Sequence, residues 1–437
     1  MDMKSKIIKL LSVALCLFGV MLFATTAAGV HVPFVHNIKV SFKNSVNGVV
    51  EAIGLPIPES TQAYLNDTAV PTPKPTMIPA DEAYATGMTK PYITMNDEGT
   101  GLTVKGTVPP IKTPKNEMSP IAFDSAENAR FADYKGDIVC VTETSYRGYD
   151  KKGKKLWDIP IQMQDPQVSV RGSYVLINET GAKKLKLYKG KKKVFDATSY
   201  GNIVSADLSK KGDIVVVTEK EYYKGQVLVF NKHGEVIFAW SSGSYNILDA
   251  AISPKRKVAI SFLNTDTGAD SFITCYDVNG EQKYKTGTYK NTVIFDVQFD
   301  GEDLNAIADN RCIGYNKKGK KEWEHSFGDK TLKNYDIAEN GSKVFLLENG
   351  GIGEIIAISA GGKKYNTIKP QSMPDVVSIK SNRIAYNNGR DLVSSKFNGR
   401  SRRRAICSSD IKQMYILDGN EILCVYSSSI QVKKTVR

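Results

Sequence analysis

The 437-residue sequence predicts an all-β protein, an eight-bladed β-propeller with seven blades as the alternative, behind an N-terminal transmembrane helix and a Pro/Thr-rich tether. Three observations carry that expectation. From about residue 119 onward, short runs rich in β-branched residues ("GDIVCVTE", "KVAISFL", "KVFLLEN", "EILCVYS") are bounded by Gly, Asn, Asp and Lys, with no clear helical periodicity. A hairpin motif recurs along the same region. A second element, a polar turn followed by an apolar strand, begins near 136, 172, 212, 256, 301, 341, 381 and 419, a mean step of about 40 residues, which suits a four-stranded propeller blade.

The hairpin motif is first met as "YDKKGKKLW" at 149–157 and returns as "FNKHGEVIF" at 230–238, "YDVNGEQKY" at 276–284 and "YNKKGKKEW" at 315–323, with "ISAGGKKY" at 358–365 as a weaker copy. Asp or Asn with Gly supplies the tight turn. An aromatic then falls four positions after the glycine: Gly153 to Trp157, Gly234 to Phe238, Gly280 to Tyr284, Gly319 to Trp323 and Gly361 to Tyr365. On the outgoing strand of a hairpin such a ring packs between neighbouring sheets. "LYKGKKKVF" moves the aromatic one place, to Phe195, and "FNGRSRRRA" has Arg403 there instead. The eighth repeat ends one strand short, and "SPIAFDS" at 119–125 is the segment able to supply the missing outer strand, closing the ring and removing its open edges.

Ahead of the repeats, Lys4, Lys6 and Lys9 precede an uncharged run from Leu10 to Val30. A helix of that length crosses about 30 Å of hydrocarbon, and the lysines mark its cytoplasmic end. Residues 1–32 are therefore assigned as a transmembrane anchor, or alternatively as a signal segment cleaved near "TTAAG". Either reading exports the rest of the chain. Residues 33–118 read as an extended tether, with Ile38, Phe42, Val46, Val49 and Ile53 at helical spacing in a short amphipathic helix over 36–54 and "VPTPKPTMIP" as a Pro-rich spacer. The propeller is placed at 119–437.

The net charge of +13 is uneven, because residues 1–118 carry 10 Lys and Arg against 9 Asp and Glu and the remainder 49 against 37. An exported basic domain disfavours nucleic acid as the partner. Apart from Cys16 in the apolar run, the cysteines are widely spaced, form no CxxC and sit in strand-like runs, as buried free thiols do. His31, His36, His233 and His325 form no ligand cluster. GxSxG, HExxH and GxxxxGK[ST] are all missing from the sequence.

"GKKLW" and "GKKEW" resemble the Gly-x-x-x-Trp signature of the pyrroloquinoline-quinone-type propeller repeat, which occurs in quinoprotein dehydrogenases and in many propellers without a cofactor. The whole arrangement resembles an uncharacterised family of membrane-anchored propellers from clostridia and related Gram-positive bacteria. The resemblance covers 119–437 and implies the fold. It does not carry over an activity, since the quinoprotein site needs a vicinal cysteine pair, a funnel tryptophan and calcium-holding carboxylates. Here there is no Cys-Cys, and Trp157 and Trp323 belong to the repeated turn. No cofactor is expected.

Two sets of residues are candidate sites. Asp207, Asp296 and Asp336 each precede a turn glycine (Gly212, Gly301, Gly341) by five residues, so they either ring one mouth of the channel or join blade to blade as hydrogen-bond acceptors. Lysine clusters at the repeated turns gather on one rim. Among them "RSRRR", with Arg400, Arg402, Arg403 and Arg404, is the candidate for anion or partner contact, because Arg pairs bidentately with phosphate and carboxylate. The expectation is a single-pass protein of the cell membrane, its N-terminus cytoplasmic and its propeller outside. It would act without catalysis as a binding or scaffold module for a cell-wall polymer or a protein. The alternative is a propeller enzyme acting on an extracellular glycan or other wall polymer through channel carboxylates.

Overall fold

In the computed structural model the apolar runs close into eight four-stranded antiparallel sheets; the residues described are 118–437, apart from 267, together with the backbone of two strands upstream. Blade 1 passes outward through Arg130–Tyr134, Asp137–Val141, Ser145–Tyr149 and Lys155–Pro160. Blades 2 to 7 occupy 166–198, 203–241, 246–285, 294–326, 331–368 and 377–406. Blade 8 is built from Gln413–Asp418, Glu421–Val425, Ser429–Lys434 and, as its outer strand, Ile121–Ala122. Ile121 pairs with Ile430 and Ala122 with Ser429, so the segment just before the first repeat completes the last blade. The innermost strand of blade 8 also lies against that of blade 1, which closes the ring.

Burial follows from this arrangement. Middle strands are covered on both faces by neighbouring blades, so Ile214–Thr218 and Gln226–Phe230 are buried at every position. Outer strands such as Lys155–Pro160 alternate between exposed and half-buried. The core is accordingly a series of layers between blades. Val215, Val229 and Phe238 of blade 3 meet Ile252, Ile260 and Phe272 of blade 4, and Phe131 and Ile138 of blade 1 meet Leu423 and Ile430 of blade 8. Cys140, Cys275, Cys312, Cys407 and Cys424 are buried thiols within these layers, with Cys407 Sγ 4.0 Å from Cys424 Sγ.

In several blades the aromatic of the repeated hairpin lies on a glycine, and Trp323 of blade 5 lies on two. In its own blade Trp157 covers Gly148 and Trp323 covers Gly314, where an added Cβ would fall 2.3 and 2.1 Å from the ring. The ring also reaches the turn of the next blade: Phe195 covers Gly234, Tyr284 covers Gly319 and Trp323 covers Gly362. Those turn glycines have φ of +87°, +77° and +81°, a region that favours glycine on backbone grounds alone. In blade 6 the structure corrects the reading of the motif. The turn spans 359–363, with Gly362 N–H donating to Ser359 O, so Gly362 rather than Gly361 is the turn glycine. Four positions on stands Asn366, not Tyr365, and its amide lies over Gly399 of blade 7.

Within the stretch read as a tether, Pro91–Met95 pairs antiparallel with Leu102–Thr107, a hairpin not expected from its composition. The transmembrane anchor at 1–32 and the helix at 36–54 lie outside the described residues. Among the described residues no helix is long and apolar enough to cross a membrane.

The contact between ring and glycine can be measured by comparing two alanine substitutions at turn glycines of like conformation. Gly280 has φ +89° and open space around it, whereas Gly319 has Tyr284 2.3 Å from the position of a Cβ. Gly319→Ala is expected to cost about 1–3 kcal/mol more than Gly280→Ala in urea denaturation, the difference being the overpacking term. Equal losses would mean that the ring carries no weight between blades.

Candidate functional site

In a four-stranded antiparallel blade the turn between the first two strands and the turn between the last two lie on the same face, and the remaining connections lie on the other. The sequence uses these positions unequally. Turns of the hairpin face hold 16 Lys and Arg against 6 Asp and Glu, while connections of the opposite face hold 8 against 11. Hairpin-face lysines make exposed pairs, such as Lys151 with Glu421 at 2.8 Å and Lys155 with Asp158 at 2.9 Å, which are worth little singly. The face therefore presents a net positive field.

Arg400, Arg402, Arg403 and Arg404 come together on this face at the junction of blades 7 and 8. Arg400 and Arg402 are exposed, Arg403 and Arg404 half-buried. Arg402 donates to the Tyr386 hydroxyl at 2.6 Å, and the Arg404 backbone exchanges two hydrogen bonds with Val436 near the chain end. Arg403 Nε is buried with no acceptor. Among the described residues no carboxylate pairs with any of the four.

The channel carboxylates stand at two depths rather than in one ring. Asp207 and Asp336 are one pair short of their hairpins, opposite Val215 and Val344. Asp296, opposite Ile307, lies four residues before the end of its strand, in register with Asp249 and Asn334 just after a bulge. The cause is turn length: Gly212 and Gly341 sit in five-residue turns, whereas Gly301 belongs to a two-residue hairpin. Most of these groups accept from the next blade. Asp207 takes Ile252 N–H at 3.4 Å, Asp249 takes Val297 N–H at 3.0 Å and Asp336 takes Ile379 N–H at 2.8 Å, while Asp296 accepts from the Tyr335 hydroxyl at 2.5 Å. Burial pushes the Asp207 carboxyl above its ordinary value; Arg171, 3.6 Å away, opposes that shift and Asp296 adds to it. Burial, reinforced by Asp296, likewise holds the Tyr335 hydroxyl protonated well beyond its usual range. Arg130, Arg171 and Lys380 stand on the innermost strands of blades 1, 2 and 7, and each has an acid beside it: Asp165 for Arg130, Asp207 for Arg171 and Asp133 of blade 1 for Lys380. At the channel's hairpin-face mouth Glu339 of blade 6 crosses to blade 2, accepting from Gly172 N–H at 2.7 Å, and its backbone carbonyl accepts from Lys210 of blade 3 at 3.2 Å.

One charged group escaped the sequence reading altogether. Lys343 opens an ordinary-looking strand, "KVFLLEN", yet it is fully buried between blades 5 and 6 under the Trp323 ring, 4.6 Å from its centroid. Its ammonium is 3.4 and 3.5 Å from the carbonyls of Ser359 and Ala360. Burial pushes it down to about 8. Among the described residues no group of His, Cys, Asp and Glu converges as a metal site would require.

These features define an eight-bladed β-propeller with one basic face and innermost strands whose charges are largely paired. Within that class the chain belongs to DUF5711, a family of unknown function whose model matches residues 115–434. No curated protein matches the sequence. Among solved structures, Sqt1 of Saccharomyces cerevisiae is similar over 72% of this chain and 100% of its own, at 7% identity and a TM-score of 0.50. BamB from Moraxella catarrhalis covers 73% of this chain and 99% of its own, at 12% identity and a TM-score of 0.49. The likeness to Sqt1 is one of fold.

Lys343 sets a pH signature. Its folded value of about 8 lies below its ordinary 10.5, so between those limits the unfolded chain keeps a proton that the folded chain has released, and stability rises with pH. The thiols of Cys140 and Cys312, pushed by burial from 9 up to about 12, act in the opposite sense above pH 9. Because Cys275 and Cys424 are raised as well, the Lys343 contribution is read as a difference: the stability of the wild type relative to Lys343→Met in urea denaturation is expected to rise by about 1 kcal/mol from pH 8 to 9. Lys343→Met should be at least as stable as the wild type at pH 7; a markedly destabilised variant, or a difference that does not change with pH, would contradict the account.

Proposed function

We propose that this chain is a membrane-tethered, extracytoplasmic propeller that works as a binding or scaffold module, docking through its hairpin face on an anionic cell-wall polymer or an acidic protein surface. The observation that carries the reading is the segregation of charge: the two faces of one disc differ in sign, and the unpaired arginines lie on the positive one. The apolar run from Leu10 to Val30 supports the tether. Against catalysis in the channel, Asp207 and Asp336 are engaged with backbone N–H groups of the next blade, and Glu339 spans one mouth. A channel enzyme is the second reading, favoured by the raised Asp207 carboxyl beside Asp296.

Detergent-solubilised full chain, incubated with wall fragments, is expected to be retained at about 0.05 M salt and released as ionic strength approaches about 0.3 M, where the Debye length has shortened. Changing Lys152, Lys154, Lys318 and Lys320 to Ser should lower retention several-fold. The same treatment of Lys183, Lys220 and Lys290 on the opposite face should leave it unchanged. Equal loss from both variants, or retention indifferent to salt, would remove the basis for the docking face. For the second reading, wild-type chain releasing soluble sugar from those fragments, with Asp207→Asn inactive, would favour the enzyme.

A further inference from the structure

We propose that blades 7 and 8 hold between them a site for a phosphoryl oxyanion, formed by the guanidinium groups of Arg383 and Arg403 with the Ser394 hydroxyl between them. The proposal rests on the hairpin face as an anion-docking surface and names the chemistry of its ligand. The first observation is a departure from the repeat. Four residues after its turn glycine, blade 1 places Trp157, blade 3 Phe238, blade 4 Tyr284, blade 5 Trp323 and blade 6 Asn366, all uncharged, whereas blade 7 places Arg403.

Strand register then assembles the site. Ala385 pairs with Ser394 and Ser394 with Arg403, and Arg383 lies two residues before Ala385, so all four side chains share one side of blade 7. That side faces blade 8, because Ala385 and Ala405 pack with Met414 and Ile422. Ser394 Oγ lies 3.4 Å from an Arg383 nitrogen and 3.0 Å from Thr435 Oγ1 of the chain end. The two arginines act on each other: burial and then the Arg403 charge hold Arg383 below its ordinary value. Arg403 Nε is buried without an acceptor.

Two half-buried like charges with an orphaned donor are unfavourable by themselves, and a negative group between them reverses the sign of the local interaction. Donors arriving from two planar forks and a hydroxyl that can turn its proton away from Thr435 suit a tetrahedral oxyanion better than a planar carboxylate. The phosphate diester of a wall polymer and that of a lipid headgroup share this chemistry.

The test uses the full chain in detergent, thermally denatured in inorganic phosphate and in chloride at matched ionic strength. Phosphate is expected to raise the wild-type midpoint by about 2 °C or more when near saturation. Arg403→Met should abolish that rise while its midpoint in chloride equals or exceeds that of the wild type, since a like-charge repulsion has gone. Ser394→Ala, a smaller change that keeps both charges, should reduce the rise. A wild type that responds to phosphate no more than to chloride overturns the proposal, as does a full phosphate response in both variants. With the site established, retention on a glycerol-phosphate polymer but not on phosphatidylglycerol vesicles assigns the wall source, and the reverse assigns the lipid. Retention on neither would leave the small-anion site standing and overturn the docking function instead.

Discussion

At three of its junctions, blade 2 to 3, blade 4 to 5 and blade 5 to 6, this propeller is held together by an aromatic ring lying on a glycine. Tyr284 on Gly319 and Trp323 on Gly362 bring an aromatic face onto the turn of the following blade, at a spacing that no residue with a Cβ could accept. That contact accounts for the pairing of the turn glycine with a ring in the preceding blade at these junctions, while middle strands are apolar because neighbouring blades cover both their faces. The inner strands add a second tie, in which side-chain oxygens of Asp207, Asp249, Asn334 and Asp336 accept N–H groups from the neighbouring blade. Packing at the rim and hydrogen bonds at the hub thus restrain the same blade-to-blade angle from opposite ends.

Where the rim contact lapses, the chain uses other means. Asn366 covers Gly399 in place of a ring, and Arg403 follows in the next blade. Around that weakened seam the two ends of the domain are tied in: Ile121 and Ala122 complete blade 8, Arg404 bridges to Val436, and Ser394 meets Thr435. The seam between blades 7 and 8 therefore carries the most concentrated uncompensated charge on the hairpin face, one blade short of the junction of blades 8 and 1 where the ring closes. The segregation of charge between faces has the same geometric origin, since antiparallel blades send two turns apiece to one side and the lysines of the repeat sit in those turns.

Much of the fold was legible because its determinants are local. Strand-forming runs, turn glycines and their period of about 40 residues give the blade count, and the closing strand follows from an unfinished last repeat. What stayed hidden depends on register or on distance in the chain. Nothing in "FDGED" distinguishes a two-residue hairpin from the five-residue turn of "SKKGD", so Asp296 was aligned with Asp207 when it lies deeper. The adjacent Gly361 and Gly362 left the blade 6 turn one residue ambiguous. Arg403 was visible as an anomaly, but Arg383 and Ser394 join it only through strand pairing. Glu339 and Gly172 meet across 167 residues, and the burial of Lys343 is a property of two blades together.

The central claim, that this propeller presents one basic face for docking, is tested most directly by lysine footprinting of the full chain with and without wall polymer. Acetylation of the exposed Lys152, Lys192 and Lys318 should be suppressed by the polymer, while Lys183, Lys220 and Lys290, exposed on the other face, should react as before. Protection of the second set, or of neither, would contradict it.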